Sequence, residues 1–140
     1  MKFLLPRIML VLFVSVTFVA CGQKEGTKGK ESVGGDAKIE LISPEILNKA
    51  NNNIQLIDVR KPEEFSSGHI ENAVNMNFYD SDFESQLKSL DKTKEVYLYC
   101  RSGGRSSKTA KMMKEMGFEK IYDLEGGMIN WEKNNMKIVK

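Results

Sequence analysis

Val96-Tyr97-Leu98-Tyr99-Cys100-Arg101-Ser102-Gly103-Gly104-Arg105-Ser106 changes character twice within a few residues. The first four are apolar, β-branched or aromatic, the composition of a short buried strand. Ser106 to Met116 reads as a helix, and Gly117 stands where a helix stops. From Arg101 to Ser106, where strand passes into helix, there are two glycines, two serines and two arginines. Glycines let the backbone curl so that several N–H groups point inward. The helix that follows adds the positive end of its dipole. A cysteine at the start of such a loop ionises more readily than a free one, because positive potential favours the thiolate. The same potential attracts an anionic substrate. The stretch therefore suits nucleophilic sulfur chemistry.

Working outward, short apolar runs alternate with helical patterns. Ile39 to Ile42 is a strand candidate, and Ser43-Pro44-Glu45 starts a helix with Ser43 as N-cap. That helix runs to about Asn51. Ile54 to Val59 is a second strand, apolar enough to be buried on both faces. Pro62-Glu63-Glu64-Phe65 opens a short helix that ends at Gly68, and Ala73 to Met76 is a third strand. Asp80 to Leu90 is a helix with Phe83, Leu87 and Leu90 on one face. Lys120 to Leu124 is a further strand, and Met128 to Lys133 a last helix carrying Trp131. This alternation predicts an α/β fold, a three-layer arrangement of a parallel sheet flanked by helices. Ligands of such sheets bind beyond the C-terminal strand ends, where Cys100 lies.

The first part of the chain has a different texture. Lys2 and Arg7 precede an apolar run from Ile8 to Val19, too short for a comfortable membrane span and suited to a signal peptide. It ends in Phe18-Val19-Ala20-Cys21-Gly22, which resembles a bacterial lipobox, although Phe18 stands where leucine is usual. The expected organisation is a signal peptide over residues 1–20, a lipidated Cys21 with a flexible linker over 21–38, and a globular domain over 39–140. The protein would then be lipid-anchored to a bacterial membrane, with its domain in the periplasm or at the cell surface. Gln23 to Lys38 is rich in Gly, Lys, Glu and Ser, as a solvated tether should be. Removing Lys2 and Arg7 from the 21 basic residues leaves 19 against 19 acidic ones, so no nucleic-acid partner is expected. The chain has two cysteines. With Cys21 consumed, Cys100 has no partner for an internal disulfide and is a candidate reactive thiol.

Three segments resemble one family. Asp58-Val59-Arg60, Pro62-Glu63-Glu64-Phe65, Gly68-His69-Ile70, Ala73 and Asn75 are similar to the N-terminal signature of a rhodanese domain. Cys100 to Ser106 resembles its active-site loop. Leu124-Glu125-Gly126-Gly127 followed by Trp131 resembles its C-terminal signature. The resemblance spans about residues 39–135. It implies a sulfurtransferase in which Cys100 takes the outer sulfur of a small anionic donor such as thiosulfate. The resulting persulfide gives that sulfur to cyanide or a thiol, including the thiol of a protein. The N–H groups from Arg101 through Ser106 (Ser102, Gly103, Gly104 and Arg105 between them) would cradle the anionic sulfur. The side chains of Arg101 and Arg105 would help bind the doubly charged donor. Asp58 and Arg60 would buttress the loop by polar contacts.

Related phosphatases carry five residues between cysteine and arginine, whereas Cys100 and Arg105 enclose four. The shorter loop resembles the sulfurtransferases, and phosphatase or arsenate reductase activity is the less favoured reading. A persulfide carrier or docking domain without efficient turnover is the other alternative. His69, the one histidine, is expected to be structural rather than a base. Without a His or Cys cluster no metal, and no other cofactor, is expected. Trp131, Met112, Met113 and Met116 are expected to pack.

Overall fold

The computed structural model describes residues 37–50 and 53–140. The signal peptide, the lipidation site Cys21 and the linker read from the sequence lie outside the described residues, apart from the linker's last two. Ten elements alternate. They are β1 (Lys38–Ile42), α1 (Pro44–Lys49), β2 (Gln55–Asp58), α2 (Pro62–Ser67), β3 (Val74–Asn75), α3 (Phe83–Lys88), β4 (Val96–Tyr99), α4 (Gly104–Glu115), β5 (Lys120–Leu124) and α5 (Gly127–Lys133).

The strands form one sheet in the order β1-β5-β4-β2-β3, and each pairing is parallel. The central strand β4 has helices over both faces and strands on both sides, so all four of its residues are buried. This is why it reads as an unbroken apolar run rather than an alternation. On one face, Ile57, Val96, Leu98 and Ile121 of the sheet meet Phe83 and Leu87 of α3 and Ala110 and Met113 of α4. On the other, Ile42, Leu56, Tyr97, Tyr99 and Leu124 meet Leu47 of α1 and Met128 and Trp131 of α5. Each large side chain buried this way contributes about 1.5–3 kcal/mol. Met112 and Met116 pack against the first cluster, and the Trp131 indole N–H donates to the Lys137 carbonyl at 2.9 Å.

Local chemistry moves several element ends. Ser43 does occupy the N-cap of α1 with Pro44 behind it, but its side chain makes no cap bond to the backbone. Its hydroxyl interacts with the Glu45 carboxylate instead and helps hold that acid below its ordinary value. The helix expected from Asp80 begins only at Phe83, because Asn77 and Asp80 are engaged in a turn. There the Asn77 side-chain amide donates to Asp80 Oδ1 at 2.6 Å, and the Tyr79 N–H donates to Asn77 Oδ1. In contrast, α4 begins two residues earlier than its sequence suggests, directly from Gly103. The C-terminal ends of all five strands lie on one edge of the sheet, and the loop after β4 opens there.

Candidate active site

Cys100 follows β4 at that edge. Its carbonyl accepts the Met128 N–H at 2.9 Å, and the Arg101 carbonyl accepts the Ile129 N–H at 3.1 Å. The first turn of α5 is thus bonded to the first two residues of the loop. Only glycine permits this approach at position 127. A Cβ there would collide with the Cys100 carbonyl oxygen and lie 2.9 Å from the Arg101 carbonyl. Gly103 has a different requirement. Its φ of 98° is left-handed backbone, which turns the chain from the loop straight into α4.

That turn brings donors onto sulfur. The Gly103 N–H donates to Cys100 Sγ at 3.1 Å, and the Ser106 hydroxyl lies 3.8 Å from it. Cys100 is 1% exposed and belongs to the apolar cluster under α3 and α4. Burial opposes ionisation, but the N–H groups of Ser106, Ser102 and Gly103 and the Ser106 hydroxyl outweigh it, so the thiol ionises below its ordinary value. The sulfur is enclosed, but by hydrogen-bond donors as well as hydrocarbon.

The other loop residues divide. Arg101 and Ser102 are exposed. Gly104 is the first residue of α4 and has nothing within 4 Å of a notional Cβ. Arg105, expected to hold the donor, is instead ion-paired. Its Nη1 and Nη2 donate to Glu64 of α2 at 2.7 and 2.9 Å. The Arg105 hydrogen bonds hold the Glu64 carboxyl at about 2, well below its ordinary range. In the sequence Glu64 belongs to a helix start and to the N-terminal signature, with nothing to link it to Arg105, 41 residues away.

Asp58 and Arg60 form a buried bidentate pair, with Arg60 Nε at 2.9 Å from Asp58 Oδ2 and Nη2 at 2.6 Å. Arg60 Nη2 also donates to the Gly68 carbonyl at 2.7 Å, and its guanidinium lies 5.6 Å from the Tyr99 ring centroid. The Asn75 amide donates to the carbonyls of both Asp58 and Arg60 at 2.9 Å. These contacts reach the end of β4 through Tyr99 and not residues 101–106 themselves. Support of the site by this pair is therefore indirect. His69 stacks on Phe65 at 3.8 Å between centroids, and its Nδ1–H donates to the Phe65 carbonyl at 3.1 Å. Its backbone forms an antiparallel bridge with Val139. Among the described residues no group of His, Cys, Asp and Glu is placed to hold a metal ion.

One carboxyl beside the loop was not singled out in the sequence. Asp123 of β5 is 2% exposed, and its Oδ1 has no hydrogen-bond partner among the described residues. Burial pushes its pKa up to about 6, with the Ser106 side chain acting in the opposite direction. The available signal was period two. Ile121 points into the core, so Asp123 does too.

A family profile described as the rhodanese-like domain matches residues 43–134. The Bacillus subtilis protein YtwF is 40% identical over 84 residues, 60% of this chain and 79% of that one. A sulfurtransferase of Allochromatium vinosum is 29% identical over 86 residues, 61% of this chain and 78% of that one. A tRNA uridine(34) hydroxylase of Pelagibacter ubique is 33% identical over 99 residues, which span 69% of this chain but 33% of the relative. Among solved structures, a rhodanese-related protein from Thermoplasma volcanium superposes with a TM-score of 0.65 at 27% identity, covering 71% of this chain and 97% of that one.

Proposed function

The chain belongs to the rhodanese-like domain family, and from that membership we propose that it is a sulfurtransferase working through a persulfide on Cys100. The observation that carries this reading is the environment of one atom. Cys100 Sγ sits under the Gly103 N–H at 3.1 Å, and the surrounding donors favour its charged form despite burial. A thiolate is the attacking species in sulfur exchange.

In the first half-reaction the thiolate attacks the outer sulfur of a donor such as thiosulfate. A new S–S bond forms, the donor's own S–S bond breaks, and sulfite leaves with the electron pair. The product persulfide is again an anion, so the donors of Ser102, Gly103 and Ser106 serve both states. In the second half-reaction a thiol or cyanide attacks the outer sulfur and the thiolate is restored. Arg101, exposed at the mouth, is free to meet an incoming dianion, whereas Arg105 already holds Glu64. Four residues between Cys100 and Arg105 make a tight cradle, which favours sulfur over a phosphoryl group.

The test is intact mass after incubation with thiosulfate. The expected result is a gain of one sulfur atom in the wild-type protein and none in Cys100→Ser. Hydrolysis of aryl phosphates without any sulfur adduct from any sulfane donor would overturn it. Loading without turnover on added cyanide would make the protein a sulfur carrier rather than a fast transferase.

A further inference from the structure

Asp123 has no part in the scheme above, yet it is paired across the sheet with Leu98, two residues before Cys100 in the same buried cluster. At its register in the sheet stand Leu98 of β4 and Leu41 of β1, neither of which is polar. On the α4 side it meets Ser106, whose hydroxyl acts on the carboxyl. That hydroxyl is also 3.8 Å from Cys100 Sγ and 3.2 Å from the Gly103 carbonyl. Among the described residues, the charged groups of the neighbouring segments are engaged elsewhere or exposed. Lys108 and Lys111 of α4 are exposed, Arg105 is turned to Glu64, and Glu125 beyond the strand end is exposed. While the sulfur is a neutral thiol, burial and Ser106 are accordingly what set the Asp123 ionisation.

A serine hydroxyl has one proton to donate. An ionised Asp123 attracts it away from sulfur, whereas a neutral Asp123 can donate its own proton to Ser106 Oγ and leave the Ser106 proton for Cys100. Two anions on either side of one buried hydroxyl repel each other strongly, so the two groups titrate as a unit.

We propose that Asp123 is a positioning residue that shares one proton with Cys100 through Ser106, being ionised when the sulfur is a thiol and neutral when the sulfur is a thiolate or persulfide. In passing between these states the S–H bond of Cys100 breaks, the Ser106 hydroxyl reverses direction, and a carboxyl O–H bond forms on Asp123. The pocket holds one negative charge before and after, and neither an oxidant nor bulk solvent takes part. A persulfide is a weaker base than a thiolate, so the proton remains on Asp123 throughout the loaded state. This last step rests on the sulfurtransferase reading, but the sharing of the proton does not.

The test is the pH dependence of iodoacetamide alkylation of the full chain, followed on the Cys100 peptide by mass spectrometry. The wild-type profile is expected to show two inflections, the lower one near pH 6. In Asp123→Asn the lower inflection disappears and the thiol midpoint falls by about one pH unit, which makes alkylation at pH 7 about tenfold faster. In Ser106→Ala both inflections move up, because each group loses a hydrogen bond that favours its charged form. Thermal unfolding checks that each variant is folded, and either variant suffices if the other fails to fold. A folded Asp123→Asn with the wild-type profile, or a folded Ser106→Ala with both inflections unmoved, overturns the proposal. A shifted profile in a protein that never gains sulfur from a donor removes the sulfur-transfer reading and leaves the shared proton standing.

Discussion

Glu64 and Arg105 join α2 to the loop side of α4 with two charge-assisted bonds. The pair has a defined pH signature. Glu64 in the folded protein ionises at about 2, below its ordinary 4.5, because Arg105 binds its charged form. Stability from the pair is therefore fully present above about pH 4.5 and is lost as pH falls toward 2. Glu64→Gln should be less stable than wild type by about 1 kcal/mol at neutral pH, and the difference should shrink through that acid window. Urea unfolding at a series of pH values measures it. A constant difference across the window would mean that the pairing is not what Glu64 supplies. Cys100 and its glycines were legible in the sequence because one continuous segment carries them. Glu64 and Asp123 were not, because each acquires its role from a side chain that only the fold brings near.

The start of α5 carries the clearest element-scale consequence. Gly127 allows the Met128 and Ile129 N–H groups to reach the carbonyls of Cys100 and Arg101. Gly127→Ala should force these segments apart and cost about 2–4 kcal/mol, the sum of overpacking and a left-handed φ of 57° for a side chain. It should also slow Cys100 alkylation. Gly104→Ala is the control, since that position is in a helix with open space around it, and it should be neutral or stabilising by up to about 1 kcal/mol. Equal losses in the two variants, read by thermal unfolding and alkylation, would contradict the docking argument. The existence and order of the elements were readable from period and punctuation. Their ends were less so. Side-chain turns such as Asn77 with Asp80 took residues out of α3, and Gly103 fed α4 early.

At the scale of the molecule, a buried acid is a cost carried by the whole fold. Asp123 ionises at about 6 when folded and near 3.8 when unfolded, so the native state binds the extra proton between these values. Stability should fall as pH rises through that window, and the contribution is intact only below it. Asp123→Asn should consequently match wild type near pH 4 and exceed it by about 2–3 kcal/mol above pH 7. Chemical denaturation at both pH values decides this, and a variant weaker at both would assign Asp123 to packing alone. The parallel sheet has one more effect. Every strand points the same way, so Lys38, at the start of β1, is at the sheet's rear while Cys100 is at its front. Whatever reaches the reactive sulfur must therefore arrive at the margin where the strands finish, opposite the one where Lys38 sets out.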